Sequence, residues 1–296
     1  MTGHPNFAPT AEPTTDVVRD VLLGQGIEAS QIKPIGGGFV SWTFDIDDAW
    51  IVQLPRFDAA VPTMRMQARL MPEVHAVVPF AVPVPELIAE WESRPVIRYR
   101  KVPGRPLIAT DQWPPLAAML QALHSFPAAR AAQLLDCEPT TDAWRTRHAQ
   151  FRDMVEQALL PQLDTPLQAA ISQHYERFLA DPLDFTPCFV HCDLGAEHIL
   201  VDPQTRRPAG LIDFDWATVG DPAIDFVGML TTLGPAATRE AVASDEANVS
   251  WERLLFYWWL TPCFGLVYGG AHLDQVSIEE GINTLRQRLS ALPGLV

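Results

Sequence analysis

Two carboxylates and two imidazoles stand close together in one stretch of this 296-residue sequence: His191, Asp193, His198 and Asp213. Asp193 is two residues after His191, His198 five after Asp193, and Asp213 fifteen after that. A carboxylate can orient an attacking hydroxyl and take its proton, and a second carboxylate with a nitrogen donor beside it can hold a divalent cation. Together they are suited to proton transfer coupled to metal-assisted chemistry. His191 is read as a loop support that acts through hydrogen bonds rather than as a catalyst.

Chemistry of this kind needs elements that converge. Pro187-Cys188-Phe189-Val190 is a short apolar run that reads as a strand ending just before His191. Ile199-Leu200-Val201 is a second, Asp202 to Pro208 is rich in turn formers, and Gly210-Leu211-Ile212 returns as a third. A hairpin folded on itself brings its ends together. Asp193 and His198 are therefore expected at one end, with Asp213 beside them.

The arrangement follows the kinase pattern H-x-D-x-x-x-x-N with a second Asp on the next hairpin, and His198 stands in the Asn place. With Asp213-Phe214-Asp215-Trp216, Gly220-Asp221-Pro222 and Asp225 downstream, the stretch resembles the aminoglycoside/macrolide phosphotransferase family, antibiotic kinases with a protein-kinase-like fold. The resemblance covers roughly residues 30 to 270, its specific motifs lying in 189–225. It implies an α+β, bilobal fold: a tail over 1–13, a small β-rich N-lobe over 14–102, and a larger, mainly helical C-lobe over 103–296. It implies ATP or GTP as phosphoryl donor, Mg²⁺ as cofactor, Asp193 as the catalytic carboxylate, and His198 and Asp213 as metal ligands. His198 in the Asn place is similar to macrolide phosphotransferases. Asp221 and Asp225 look structural, Asp221 as a cap for the helix starting after Pro222.

Upstream, Ile35 to Leu54 reads as a β-hairpin entered through Gly36, Gly37 and Gly38. Glycines let backbone N–H groups approach a phosphate closely, and the resemblance puts the nucleotide-covering loop here. It also predicts a Lys or Arg on the following strand and a Glu on the next helix. Gln53 and Gln67 occupy those places. Two amides can hydrogen-bond each other, but neither offsets phosphate charge; Arg56, Arg65 and Arg69 are the nearby cations. The hinge that meets the purine is expected at Tyr99, Lys101 and Val102.

Composition limits the alternatives. Net charge is −15, hydrophobic content 48% and charged content 19%. Such acidity argues against nucleic-acid binding and suits a cationic acceptor as well as it suits a plain solvated surface. No apolar run reaches 18 residues and no leader is read at the start, so no membrane partner is expected, and the cytoplasm is the expected location. The four cysteines show no CxxC pair; buried thiols are favoured over a zinc site at Cys188, His191 and Cys192. A monomer is expected.

From Asp111 onward, helical periodicity dominates. Helices are read near 115–124, 142–161, 166–180 and 277–292, with an aromatic helix from Trp251, capped by Ser250, that breaks at Pro262. His124 is read as a structural hydrogen bonder. The aromatic helix is read as core, with Trp258, Trp259 and Tyr268 as candidates for an apolar acceptor wall. Function is thus read as γ-phosphoryl transfer to a hydroxyl of a small molecule, a macrolide first. An aminoglycoside or metabolite kinase, and a nucleotide-binding protein without turnover, are the alternatives.

Overall fold

The computed structural model describes residues 11–36, 40–243, 248–269 and 275–294. Gly37 and Gly38, most of the tail, and the side chain of Tyr268 lie outside the described residues. The fold is α+β: a β-sheet in the N-terminal part and helices over most of the rest.

Helix α1 (Thr15–Leu23) starts where the Thr14 hydroxyl accepts the Val17 N–H. Strands β1 (Ile32–Ile35), β2 (Ser41–Ile46), β3 (Trp50–Pro55), β4 (Glu86–Trp91) and β5 (Arg94–Arg100) form one antiparallel sheet in the order β1-β2-β3-β5-β4. The β2–β3 turn uses Asp47 and Asp48, both at φ 55°. Short acidic side chains tolerate that left-handed backbone better than most residues do. Alternation sends Phe44, Val52, Leu54 and Val96 into a small cluster with Val18 and Leu22 of α1. Thr43, Ile51, Gln53, Ile97 and Tyr99 share the other face, as the pairings Thr43↔Gln53↔Ile97 and Ile51↔Tyr99 require.

Helix α2 (Val61–His75) joins the two parts. It contacts β5 and sends Leu70, Met71 and Val74 into the large core of the helical part. The chain crosses through β6 (Arg105–Pro106) and a loop that ends at Asp111. That carboxylate has no exposed surface and is gripped by two Arg105 nitrogens at 2.6 and 2.7 Å, the Ile108 N–H at 2.9 Å and Arg206 Nε at 3.3 Å. The crossing loop is thereby fastened to the turn of the catalytic hairpin.

The helical part holds α3 (Pro114–His124), α4 (Ala128–Leu135), α5 (Thr141–Ala158) and α6 (Thr165–Ala180), then β7 (Cys188–Val190), β8 (Ile199–Val201), β9 (Pro208–Leu211) and β10 (Thr218–Gly220). Helices α7 (Val227–Val242), α8 (Trp251–Gly269) and α9 (Gln275–Ala291) follow. β8 and β9 form the expected hairpin, β6 adds to its edge, and β7 pairs with β10.

One expectation fails in an instructive way. The aromatic helix does not break at Pro262; α8 runs on to Gly269. Proline has no N–H for the carbonyl four residues back, which here is that of Trp258. That carbonyl accepts instead from the Arg288 guanidinium of α9, which also lies 4.9 Å over the Trp258 ring. A donor from another helix replaces the missing bond, so the helix continues.

Candidate active site

The loop after β7 is fixed by a buried carboxylate. Asp225 accepts the backbone N–H groups of His191 at 3.0 Å and Cys192 at 2.9 Å, and His124 Nε2 donates to it at 3.0 Å. These bonds hold Cys192 at φ 66° and turn the chain so that Asp193 faces outward. His191 is wholly buried. Its Nε2 donates to the Ile212 carbonyl at 2.9 Å and its Nδ1 accepts the Asp193 N–H at 3.3 Å. Burial, the largest influence, lowers the His191 pKa, in keeping with a neutral ring that both gives and takes. His191 thus ties the Asp193 loop to the strand end that carries Asp213.

Asp193 and Asp213 are both open to solvent, with side chains 48% and 40% exposed, and His198 lies between them. His198 Nδ1 is 2.5 Å from the Asp193 carbonyl oxygen and Nε2 is 3.6 Å from Asp213 Oδ2. A carbonyl can only accept, so Nδ1 carries a proton, and Nε2 faces Asp213. Burial pulls the His198 pKa down; Asp213, the Asp193 carbonyl and the Asp193 carboxylate outweigh it, and the net shift is upward. Burial is also the largest cause of the raised Asp193 pKa, opposed by His198 and reinforced by Asp213.

The three residues that the spacing singled out are therefore together. They fit Mg²⁺, which binds through one or two protein oxygens and completes its shell with water and phosphate. Asp213 has the exposed oxygens, and His198 fits at the second place directly or through water. No three His, Cys, Asp or Glu side chains form a metal cage among the described residues, so phosphate oxygens would have to complete the shell.

The neutral pair behaves differently from expectation. Gln53 and Gln67 do not bond each other. Gln53 Nε2 is 3.4 Å from the hydroxyl of Thr43, its neighbour across the strand, and Gln67, buried on α2, gives its Nε2 to Asp215 at 2.5 Å. Asp215 sits two residues past Asp213, so α2 is tethered to the metal-side loop. Burial, with Asp213 second, pushes the Asp215 carboxyl up to about 7. Arg65 pairs with Glu90 on the surface and Arg56 stacks over Trp42 at 4.1 Å.

At the expected hinge the three residues part ways. The Tyr99 phenol feels both Asp213 and Asp215, which, after burial, raise its pKa; it faces the metal-side loop. Val102 is buried against β9, where a Cβ on Gly210 would come within 2.8 Å of its Cγ1. Lys101 is committed elsewhere: its ammonium holds Asp45 and Asp48 at 2.6 and 2.5 Å, and its N–H bonds the Ala49 carbonyl at 2.9 Å. Gly36 is exposed at the end of β1.

On its other side Asp193 opens into a cavity of about 410 Å³ between the catalytic loop and helices α5, α7, α8 and α9. Helix α8 turns Tyr257, Thr261, Phe264 and Gly265 to it. This corrects the acceptor wall read from sequence. Neither Trp258 nor Trp259 lines the cavity: Trp259 falls on the far side of the 3.6-residue period, fully buried and stacked on His174, and Trp258 is covered by Arg288. Residues the sequence reading passed over take their place, above all Trp144 and His148 of α5, Arg147 beside them, and Arg288. Only their one-turn spacing along α5 hinted at a shared face.

The cavity rests on a second buried carboxylate. Asp221 accepts Arg253 Nε at 2.6 Å, the Tyr257 hydroxyl at 2.8 Å and the Ala223 N–H at 3.0 Å, and Trp144 Nε1 donates to the Tyr257 oxygen at 2.8 Å. Gly228 lets the first turn of α7 touch the catalytic loop; a Cβ there would stand 1.8 Å from the Leu194 carbonyl oxygen.

With the site's geometry in place, residues 31–257 match the family model described as the phosphotransferase enzyme family. The chain belongs to that family. It is a kinase-type enzyme. Among solved structures it is similar to the GDP complex of wild-type aminoglycoside 2'-phosphotransferase-IIIa, with TM-score 0.82 and 21% identity over 95% of this chain and 100% of that one. It is also similar to ADP-bound aminoglycoside phosphotransferase APH(2'')-Ib, with TM-score 0.69 and 19% identity over 92% and 97%. The apoenzyme of macrolide 2'-phosphotransferase MphH from Brachybacterium faecium gives TM-score 0.66 and 20% identity over 91% and 97%. These likenesses are of fold. Among curated proteins no sequence matches this one. No helix among the described residues is long and apolar enough to cross a membrane.

Proposed function

We propose that this phosphotransferase moves the γ-phosphoryl group of ATP or GTP to a hydroxyl of a small molecule seated in the cavity beside Asp193, a macrolide being the preferred class. The observation that carries the reading is the position of Asp193. Its carboxylate borders the cavity on one side and the His198–Asp213 pair on the other. An acceptor hydroxyl there can be held by Asp193 while the nucleotide lies on the sheet side. The GDP and ADP complexes of similarly folded proteins support a nucleotide as the donor.

In the reaction the acceptor oxygen attacks the γ-phosphorus, the bond to the β–γ bridging oxygen breaks, and the hydroxyl proton passes to Asp193. The nucleoside diphosphate leaves. Such a transition state is loose, so Asp193 contributes chiefly by orienting the hydroxyl. His198 and Asp213 would hold Mg²⁺, which neutralises charge on the phosphate oxygens when bound. His191 and Asp225 keep the loop in register.

The macrolide preference rests on the cavity's lining. Trp144, Ile224, Val227, Tyr257 and Phe264 give a broad apolar surface, and Arg147 and Arg288 balance Asp193 and Glu197. A polycationic aminoglycoside would meet two guanidinium groups there. The aminoglycoside reading retains the support of the chain's net charge of −15 and of the similarity in fold. Incubation with ATP or GTP, each with Mg²⁺, against macrolides, aminoglycosides and small alcohols separates the two. The expected result is a macrolide heavier by one phosphoryl group and unmodified kanamycin. Phosphorylated kanamycin with untouched macrolides would reverse the assignment.

A further inference from the structure

Asp213 stands in the left-handed region of the backbone, at φ 68°. That conformation is unfavourable for a residue with a Cβ and persists where contacts on both sides impose it. Upstream, the contacts come from the catalytic loop. The Ile212 N–H donates to the His198 carbonyl at 3.0 Å, and the Ile212 carbonyl accepts His191 Nε2 at 2.9 Å. Downstream, Phe214 is buried, with its ring centroid 4.5 Å from that of His191.

A further hold comes from a distant part of the chain. Gln67 of α2, 6% exposed, donates its Nε2 to Asp215 Oδ1 at 2.5 Å across 148 residues of sequence. Burial and the Asp213 charge both disfavour a carboxylate at Asp215, whereas the Gln67 N–H favours one. Asp213 also lies within hydrogen-bonding reach of Asp215. With the Gln67 donor removed, Asp215 would turn to Asp213 and compete for the oxygens that face His198. A carboxylate at position 67 could not take over. It would set a third negative group beside the pair, and Arg65 and Lys101 are already committed to Glu90 and to Asp45 and Asp48.

Resting on the phosphotransferase reading above, we infer that Gln67 is a positioning residue of the metal site: through its hydrogen bond to Asp215 it keeps the Asp213 carboxylate turned to His198 and open to Mg²⁺. The neutral amide is what the place requires, because it donates to one carboxylate without adding another. The sheet-side helix α2 thereby sets the geometry of an aspartate that belongs to the catalytic hairpin.

The test measures affinity for ATP and for GTP by calorimetry, once with Mg²⁺ and once with a chelator. It compares the parent protein with Gln67→Met, with Gln67→Glu, and with Gln67→Glu combined with Asp215→Asn. In the parent, Mg²⁺ is expected to tighten nucleotide binding. In Gln67→Met, which keeps the length but donates nothing, that gain should shrink about tenfold, while metal-free affinity stays within about threefold of the parent. Gln67→Glu should lose at least as much. The combined variant exchanges donor and acceptor across the same contact, and should recover the gain to within about threefold. A Mg²⁺ gain unchanged in Gln67→Met overturns the inference. So does an equal loss with and without the metal, which marks a general structural role. Should Gln67→Met fail to fold in thermal melting, the other two variants decide: recovery in the combined variant supports the inference, and no recovery refutes it. A parent protein whose nucleotide affinity ignores Mg²⁺ defeats the metal assignment to His198 and Asp213 itself, and the role of Gln67 with it.

Discussion

At the scale of single residues the site works by fixing which atom carries a proton. The Asp193 carbonyl puts the proton of His198 on Nδ1 and leaves Nε2 facing Asp213. Replacing His198 by Asn restores an oxygen donor at the position and should preserve activity. His198→Leu, with no donor at all, should lower kcat by about 10²-fold, since removing one polar contact in a charge-stabilising site costs on that order; steady-state rates with ATP or GTP check it. His148 makes a prediction on stability. Its folded pKa of about 3 lies below the unfolded value of 6.5, so as pH falls below 6.5 the unfolded chain takes a proton that the native ring refuses. Stability is full above 6.5 and is lost on the way down. Between pH 7 and pH 5 this one group should remove about 2 kcal/mol. Unfolding free energies from denaturant titrations at the two pH values should differ less in His148→Phe than in the parent protein by that amount.

At the scale of elements, several joints rest on one contact each. Arg288 fills the gap that Pro262 leaves in α8. Arg288→Met keeps the bulk over Trp258 but orphans a buried carbonyl, and should cost about 1–3 kcal/mol in chemical denaturation. Gly228→Ala drives a Cβ into the Leu194 carbonyl; it should reduce activity more than stability, because Leu194 follows Asp193 directly. Asp111 fastens the crossing loop to the catalytic hairpin. Its arginine partners, Arg105 first, hold its carboxyl well below the usual carboxylate range, so its contribution is present above about pH 4 and is lost only in stronger acid. Asp111→Asn should destabilise by about 1.5–3 kcal/mol at neutral pH and flatten the acid limb below pH 4, a window separate from that of His148.

These joints also mark what sequence could and could not carry. The strands around Asp193 and Asp213 were legible as short apolar runs bounded by turn formers, and a hairpin brings its ends together. The place of His198 followed from that geometry. The course of α8 was not legible, because the residue that rescues Pro262 comes from α9, twenty-six residues further on. Trp258 and Trp259 attracted attention as aromatics, whereas the helical period and tertiary packing give the cavity to Tyr257 and Phe264. The Gln53–Gln67 pairing failed for a similar reason: Asp215, distant in sequence, is the stronger acceptor for Gln67. The ammonium of Lys101 goes to Asp45 and Asp48, partners about fifty residues earlier in the chain that no local pattern around Lys101 indicates.

Across the whole molecule, the sheet and the helical part have separate hydrophobic clusters, and α2 with the loop from β6 to Asp111 joins them. The metal-side residues and Tyr99 meet between the two parts. A nucleotide bound there contacts both and should stabilise both together. At a concentration one hundred times Kd it should add about 2.7 kcal/mol. The central claim concerns Asp193, and it is tested most directly by one comparison. Phosphoryl transfer from ATP or GTP to the acceptor is measured for the parent protein and for Asp193→Asn, with nucleotide affinity measured in parallel. The account predicts that the variant binds nucleotide as the parent does and transfers at least about 10²-fold more slowly. Equal transfer rates in the two proteins would contradict it.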